Sequence, residues 1–198
     1  MTIFHFVRHG EHVLRGQGLL AGRTPGIGLS ELGRAEMAAV AERLAAEKIE
    51  ALYASPLQRT RESALVLAER LALPVRYRED VIEVDFGEWT GLSFDAVRHD
   101  PRWPAWRACR SMAAAPGGET MRQVQQRTLD ALADLHKTHK SVVVIVSHGD
   151  VIRAALLFAL GMPLDFHARI EIGLASISTI DFNGSWFCVR RLNERPRP

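Results

Sequence analysis

Residues 2–12, TIFHFVRHGEH, join a short apolar run to an Arg-His-Gly sequence that follows it directly. Residues 141–149, SVVVIVSHG, repeat the arrangement, because a second apolar run there ends on Ser-His-Gly. The runs IFHFV at 3–7 and SVVVIV at 141–146 are almost continuously apolar, which predicts central parallel strands that are covered on both faces. Weaker strand candidates are ALYA at 51–54 and VRY at 75–77.

Helical patterns lie between these strands. Helix starts are predicted at Ser30, at Ser55-Pro56 as N-cap and first helical residue, at Thr120 and at Asp150. The first helix should bury Leu32, Ala35, Ala39, Val40 and Leu44, and the third Met121, Val124, Thr128, Ala131, Leu132 and Leu135. Alternating strands and helices indicate an α/β three-layer α/β/α sandwich with a mostly parallel central sheet. Asn183-Gly184 predicts a type I′ hairpin that adds antiparallel edge strands.

Composition narrows the class of protein. The chain has 198 residues, 47% of them apolar, and a net charge of only +2. We therefore expect one domain over residues 1–198, with a cap-like insertion at about 88–118, and no nucleic-acid partner. The longest apolar segment, AALLFAL at 154–160, is too short to span a bilayer, and the N-terminal region lacks signal-peptide features, so a cytoplasmic protein with reduced cysteines is expected. The tail RRLNERPRP at 190–198 is interpreted as a solvated end.

Charged and histidine side chains follow three of the predicted strands. In an open α/β sheet the ligand crevice lies beyond the carboxyl ends of the strands. Arg8 and His9 follow the first strand, Arg59 lies in the first turn of the helix after ALYA, and His148 follows the VVVIV run. The pattern therefore predicts that two arginines and two histidines meet in one crevice.

The remaining histidines have simpler interpretations. His5 lies inside a strand and is expected to be a hydrogen-bonded core residue, and the others are interpreted as partly exposed turn residues. His5, His9 and His12 do not converge on one point in an extended segment, and no carboxylate or cysteine cluster completes a set of ligands. No metal and no cofactor is therefore expected.

Six segments together resemble the histidine phosphatase superfamily, in its phosphoglycerate-mutase-like branch. They are FVRHGE (6–11), LSELGRAEMAAVAERL (29–44), YASPLQRTRESA (53–64), VIEVDFGEWTG (81–91), PGGET (116–120) and VIVSHGDVIR (144–153). The segments have the order and the spacing of that family, and they cover nearly the whole chain.

The resemblance implies a phosphohistidine mechanism. His9 matches the nucleophile, whose second ring nitrogen would be held by a backbone acceptor, and Glu83 matches the acid that protonates the leaving oxygen. Asp85 and Glu88 are nearby competitors for that role. The implied catalytic residues are His9, Glu83, His148, Arg8 and Arg59. The implied phosphate- or substrate-binding residues are Arg8, Arg59, His148, Gly149, Glu11, Arg15 and Gly22.

The chain departs from the family pattern at several positions. Arg15 stands where many members have an asparagine that touches the phosphate, and His12 stands where threonine or serine is common. In the cap, Trp103 and Trp106 are interpreted as packing residues. The cap arginines, expected to face water, are Arg98, Arg102, Arg107 and Arg110. The alternative is that cap tryptophans and arginines together grip an anionic or ring-bearing leaving group. Arg61 is likewise interpreted as a surface charge.

Three functions remain to be compared. A metal-independent phosphomonoester hydrolase acting on a small phosphorylated metabolite is favoured, because the cap looks too small to protect a phosphohistidine from water. A cofactor-dependent phosphoglycerate mutase would share every catalytic residue. A non-catalytic phospho-ligand binding module could lose His9 or Glu83, both of which are present. The identity of the phosphorylated substrate and the oligomeric state stay open.

Overall fold

The structure is a computed structural model, and it describes residues 1–196 as a six-stranded sheet with helices on both faces. The strands are β1 (Thr2–Arg8), β2 (Ile49–Ala54), β3 (Val75–Tyr77), β4 (Val142–Ser147), β5 (Ile177–Phe182) and β6 (Phe187–Glu194). The α-helices are α1 (Glu31–Ala45), α2 (Gln58–Leu71), α3 (Phe94–His99), α4 (Trp103–Ala108), α5 (Met121–Thr138) and α6 (Gly149–Ala159). Short 3₁₀ turns cover Glu79–Val81, Gly87–Trp89 and Leu164–Arg169.

The sheet has the order β3-β2-β4-β1-β5-β6. β1, β2, β3 and β4 are parallel to one another, whereas β5 pairs antiparallel with β1 and β6 pairs antiparallel with β5 at one edge. β1 and β4 lie side by side in the register that pairs Arg8 with Ser147, so the residues after both strands leave the sheet at the same place. The predicted fold class is confirmed.

Each face of the sheet is covered by one pair of long helices. On one face, Met37 and Leu44 of α1 and Leu67 of α2 pack against Val144 and Val146 of the sheet. On the other face, α5 and α6 pack over the apolar side chains of β1 and β4. The buried face of α5 is the predicted one, and it begins with a capping box formed by Thr120 and Gln123.

The predicted buried face of α1 is partly wrong. The buried residues of this helix are Gly33, Met37, Val40, Ala41 and Leu44. Leu32 and Ala35 instead face solvent. The helix buries a stripe that starts at its small residue Gly33, because the chain after β1 packs directly on that residue.

Two predicted caps and turns also differ in the structure. Ser55-Pro56 does not start α2, whose N-cap is Leu57 without a side-chain hydrogen bond. The Ser55 hydroxyl is instead paired with the ring of His148. The β5–β6 loop has four residues, 183–186, and of Asn183 and Gly184 only the glycine has a positive φ, so the loop is not a type I′ turn.

The C-terminal segment is more ordered than its two prolines predicted. β6 extends to Glu194, and Arg190 donates a 2.6 Å hydrogen bond to the buried carboxylate of Asp181. The solvated end therefore starts no earlier than Arg195, and Pro198 lies outside the described residues. Within residues 1–196, no helix combines the length and the apolar character that crossing a membrane requires.

The expected cap segment contains α3 and α4, and it packs through aromatic rings. Trp89 lies edge-on to Trp103 and to Trp106, with ring centroids 5.6 and 6.1 Å apart. Trp106 is fully buried. This packing agrees with the structural interpretation of the two cap tryptophans. Arg98, Arg102 and Arg107 are exposed as expected, but Arg110 turns inward.

Candidate active site

A cavity of about 300 Å³ lies between the carboxyl ends of the parallel strands and the cap. Seven of the residues singled out from the sequence line it: Arg8, His9, Arg15, Gly22, Arg59, Glu83 and Gly149. Its walls thus bring together residues from five separate segments of the chain. The cavity is at the lower end of the size range of small-molecule sites.

His9 is buried at the end of β1, and its hydrogen bonds define its tautomer. Nδ1 lies 2.8 Å from the carbonyl oxygen of Gly10. A carbonyl can only accept, so Nδ1 carries the proton and Nε2 is unprotonated and keeps its lone pair. Burial lowers the pKa of His9 well below its ordinary value, and the charges of Arg59 and Arg8 lower it further. His9 is therefore a neutral imidazole with an available nucleophilic nitrogen.

Arg59 extends from the first turn of α2 and contacts both buried histidines. Its Nε lies 3.3 Å from Nε2 of His9, and its Nη2 lies 3.2 Å from Nδ1 of His148. Nη2 also donates to the carbonyl oxygen of Gly22 at 2.8 Å. Nη1 is buried without a hydrogen-bond partner among the described residues. This orphan donor is available to an anion.

Arg8 supplies a second buried guanidinium. Its Nη1 donates to the carbonyl oxygen of Ile172 at 2.6 Å, while its buried Nε has no partner in the described part of the chain. Gly149, the first residue of α6, permits this placement, because a Cβ there would come within 3.3 Å of the guanidinium carbon. Two guanidiniums and the free N–H groups at the start of α6 therefore surround one part of the cavity.

His148 is fully buried and neutral. Because Arg59 can only donate, Nδ1 of His148 is the acceptor in their contact, so Nε2 carries the proton that reaches the Ser55 hydroxyl at 2.7 Å. Burial lowers the pKa of His148 well below its ordinary value, with Arg59 as the next cause. Ser55, which does not cap α2, thus fixes the orientation of a histidine in the site.

Glu83 is the carboxyl group of the site. Its Oε2 lies 3.8 Å from Nη2 of Arg59 and 3.7 Å from Nδ1 of His148, and its Oε1 accepts from the Val84 amide at 3.0 Å. Burial raises the pKa of Glu83 to about 7, and the negative charge of Asp150 adds to the rise. A carboxyl group with such a pKa can give up and take back a proton near neutral pH.

The main chain at Glu83 is held by an ion network behind the cavity. Its carbonyl oxygen accepts from Nε of Arg23 at 2.8 Å and from Nη2 of Arg127 at 3.3 Å. Glu119 bridges the two arginines, at 2.9 Å from Arg23 Nη2 and 3.0 Å from Arg127 Nε, and it also accepts from the Asp85 amide. Glu119 therefore anchors the segment that carries Glu83, a role that a helix-start position alone did not predict.

Similarity to known proteins agrees with this geometry. The model of the histidine phosphatase superfamily (branch 1) matches residues 4–195. The chain belongs to the histidine phosphatase superfamily.

This chain covers different shares of the length of its relatives. A bifunctional protein of Mycobacterium tuberculosis is 34% identical over 180 residues, which are 89% of this chain but only 49% of the relative, so the chain spans about half of that protein. Phosphoserine phosphatase 1 of Hydrogenobacter thermophilus is 32% identical over 194 residues, 94% of this chain and 90% of the relative. The solved structure of a mycobacterial glucosyl-3-phosphoglycerate phosphatase superposes with a TM-score of 0.87 at 26% identity, covering 97% of this chain and 98% of the other.

The histidine phosphatase site also contains a histidine that the sequence analysis set aside. His12 lines the cavity, with its ring centroid 5.7 Å from that of His9, and its buried Nδ1 has no partner among residues 1–196. Burial, with Arg59 and Arg8, lowers the pKa of His12 to about 4. The available signal was its position three residues after His9 in the loop that leaves β1.

Other missed residues form one cluster on the cavity wall: Arg110, Asp150 and Arg153. The sequence pattern indicated only a helix start for Asp150 and a solvated charge for Arg110. Asp150 follows His148 by two residues, in the first turn of α6 directly after β4. That position was the signal for Asp150. For Arg110 the signal was its place near the cap tryptophans, in the alternative that was not favoured.

Glu11, Gly10 and His148 do not line the cavity, although His148 contacts Arg59, which does. The Glu11 carboxylate accepts a 2.9 Å hydrogen bond from the Ser30 hydroxyl at the start of α1. Gly10 packs closely on α1, since a Cβ there would lie 2.4 Å from the carbonyl oxygen of Gly33. Gly22 contributes its carbonyl oxygen to Arg59. Among residues 1–196, no group of three or more His, Cys, Asp or Glu side chains is placed to hold a metal ion.

Proposed function

We propose that this chain is a metal-independent phosphomonoester hydrolase, which acts on small phosphorylated metabolites through a phosphohistidine on Nε2 of His9. The observation that carries the proposal is the direct contact between Nε2 of His9 and the buried guanidinium of Arg59, with the half-buried Arg8 as a second guanidinium of the same cavity. The nucleophilic nitrogen would therefore lie directly beside the groups that bind the phosphate. Membership in the family and the phosphatase names of two relatives support the same reaction class.

Substrate binding follows from the orphan donors of the pocket. Nη1 of Arg59 and Nε of Arg8 have no partner in the described part of the chain, and a phosphate dianion supplies acceptor oxygens for both. Two buried positive charges face Glu83 as the nearest carboxyl, whose raised pKa leaves it only partly ionised near pH 7. The pocket is therefore short of negative charge until a phosphate enters.

Phosphoryl transfer to His9 needs a lone pair and a proton donor. The Gly10 carbonyl keeps the proton on Nδ1, so Nε2 attacks phosphorus while the bond from phosphorus to the leaving oxygen breaks. Glu83 in its acid form gives its proton to that oxygen, and the product leaves as an alcohol. Arg8 and Arg59 stabilise the charge on the equatorial oxygens during transfer.

Hydrolysis regenerates the site. Glu83 now lacks its proton, and as a carboxylate it takes one from an entering water whose oxygen attacks phosphorus. The bond between phosphorus and Nε2 breaks, inorganic phosphate forms, and Glu83 is again protonated. One carboxyl group with a pKa of about 7 is suited to both half-reactions.

The test of this proposal is a rapid-quench experiment with ³²P-labelled phosphomonoesters, phosphoserine included, in the presence of EDTA. We expect an acid-labile, base-stable label on the wild-type protein that is absent from His9→Ala and retained in His99→Ala, whose histidine is exposed on the cap. Full turnover by His9→Ala would contradict the proposal. A parallel assay with 3-phosphoglycerate and 2,3-bisphosphoglycerate distinguishes a mutase, in which isomerisation would outrun phosphate release.

A further inference from the structure

Arg110 places a second positive charge centre on the cap side of the cavity. We propose that Arg110 binds a second anionic group on the substrate, so that the preferred substrates are phosphomonoesters whose leaving group carries a carboxylate or another phosphate. The inference rests on the proposed function and names a substrate class for the same cavity.

The side chain of Arg110 is held in place, yet one of its donors is unused. Only 13% of the side chain is exposed, and its guanidinium carbon lies 4.5 Å from the centre of the buried Trp106 ring. Its buried Nη1 has no hydrogen-bond partner among residues 1–196. An arginine that merely covered the cap would keep its head in water. This guanidinium is instead desolvated at a cavity wall, where an orphan donor favours an anionic ligand.

The nearby carboxylate does not use up this charge. Oδ1 of Asp150 accepts from Nη1 of Arg153 at 2.8 Å and lies 3.2 Å from Nε2 of His167. Arg153 is also satisfied at Nε, which donates to the carbonyl oxygen of Ile170 at 2.8 Å. Asp150 approaches Nη1 of Arg110 only to 3.6 Å, beyond hydrogen-bonding distance. Two guanidiniums thus share one carboxylate, and Arg110 holds the surplus charge.

The two anion-binding groups of the cavity belong to different parts of the chain. Arg8 ends β1 and Arg59 lies in the first turn of α2, where it contacts the reacting histidines, whereas Arg110 follows α4 in the cap. The group bound by Arg110 is therefore on the leaving part of the substrate and not on the phosphoryl group that is transferred. A cavity of about 300 Å³ suits a small molecule that carries both groups.

The experiment measures binding by calorimetry in the His9→Ala background, which excludes turnover. Phosphoserine is compared with phosphoethanolamine, which lacks only the carboxylate, and fructose 1,6-bisphosphate with fructose 6-phosphate, which lacks the second phosphate. Arg110→Gln removes the charge and keeps hydrogen-bonding capacity. Arg107→Gln, at an exposed arginine of the same cap, is the matched control.

In at least one pair we expect the ligand with two anionic groups to bind about 10- to 100-fold more tightly, the range for a hydrogen bond to a charged group. Arg110→Gln should abolish that difference without changing the affinity for the singly charged ligand, which also shows that the variant is folded. Arg107→Gln should preserve it. The pair that shows the effect identifies carboxylate or phosphate as the group bound.

Two results would overturn the Arg110 proposal: equal affinities within both pairs, or a difference that persists in Arg110→Gln. The outcome is separable from that of the proposed function. An Arg110-dependent difference in binding together with absence of labelled His9 would leave the subsite standing and remove the hydrolase. Labelled His9 together with equal affinities within both ligand pairs would support the hydrolase and remove the Arg110 subsite.

Discussion

Arg59 is the residue through which the parts of the site are connected. One buried guanidinium contacts His9, His148 and the Gly22 carbonyl, and it keeps Nη1 free for a ligand. Its burial is costly for a charged group, and its pKa is lowered by desolvation, against which the charge of Glu83 acts. The surrounding acceptors hold this group in position, and a bound anion would complete its hydrogen bonds.

We expect Arg59→Ala to lower kcat by about 10² to 10³, by analogy with removal of one donor from an oxyanion hole. Arg61→Ala should leave kcat near the wild-type value, because Arg61 is exposed and lies over the ring of Tyr77 at 4.8 Å. Steady-state kinetics on both variants, with circular dichroism to confirm folding, measure the contrast. Equal losses of kcat in the two variants would contradict the assignment of Arg59, and not Arg61, to the site.

Glu83 should make the protein less stable as the pH rises. Its folded pKa of about 7 lies above its ordinary value of 4.5, so the folded state holds the proton more tightly than the unfolded state does. The contribution of this proton to the free energy of unfolding is fully present below pH 4.5 and is lost as the pH rises through 7. Glu83→Gln, which is always neutral, should therefore exceed wild type in free energy of unfolding by about 1–3 kcal/mol at pH 8.

The measurement is urea unfolding of wild type and Glu83→Gln at pH 4.5 and pH 8. The two proteins should be nearly equal at the lower pH. A wild-type protein that is the more stable of the two at pH 8 would mean that Glu83 is ionised without penalty and cannot hold the proposed proton. Glu88→Gln, at an exposed carboxylate of the same segment, is the control and should show little pH-dependent difference.

At the scale of elements, the contact between the loop after β1 and the start of α1 positions His9. A Cβ on Gly33 would lie 2.0 Å from the carbonyl oxygen of Glu11, and one on Gly10 would lie 2.4 Å from the carbonyl oxygen of Gly33. Two glycines thus allow backbone to touch backbone beside the nucleophile. The Arg-His-Gly sequence contains glycine for this packing and not for contact with the ligand.

Gly33→Ala should destabilise the protein although alanine is the better helix former. Helix propensity alone predicts a gain of about 1 kcal/mol in the free energy of unfolding. The clash with Glu11 backbone instead predicts a net loss of about 1–3 kcal/mol. Thermal or urea unfolding decides between them, with Ala35→Gly, at an exposed position of the same helix, calibrating the propensity term. A more stable Gly33→Ala variant would refute the contact.

Sequence patterns predicted elements well where one physical signal dominated. The apolar runs located β1 and β4 within one residue, and the periodicity of α5 identified its full buried face. Ser55 misled because a serine before proline fits an N-cap, whereas a tertiary partner, His148, takes its hydroxyl. His12 and Arg110 were missed because their burial is created by distant segments, which local sequence does not encode.

At the scale of the whole molecule, the sheet and the cap divide the site between them. The strand ends carry Arg8, His9, Arg59 and His148, which would perform the chemistry, and the cap carries Arg110 over the same cavity. Trp89, Trp103 and Trp106 make the cap a packed aromatic cluster and not a loose loop. That cluster is continuous with the apolar core on the α5–α6 face of the sheet.

Because the core is shared, cap and sheet should unfold together. Three of the four tryptophans, Trp89, Trp103 and Trp106, belong to the cap cluster, so tryptophan fluorescence reports mainly on the cap, while far-ultraviolet circular dichroism reports on the whole chain. We expect the two signals to give coincident urea unfolding curves, as for a single cooperative domain. Trp186→Phe removes the tryptophan outside the cluster and sharpens the comparison. A separate, earlier fluorescence transition would make the cap an independent unit.

The glycines at the base of the cap have a consequence for the descent of such enzymes. A Cβ on Gly87 would lie 2.0 Å from the carbonyl oxygen of Pro116, and one on Gly118 would lie 2.2 Å from that of Asp85, so the two ends of the cap segment adjoin. A chain segment whose two ends adjoin can change its length and its sequence at small entropic cost. Recombination can then exchange the cap segment between lineages as one contiguous stretch of sequence. New substrate preferences would arise this way, while the inherited phosphoryl chemistry stays untouched at the strand ends.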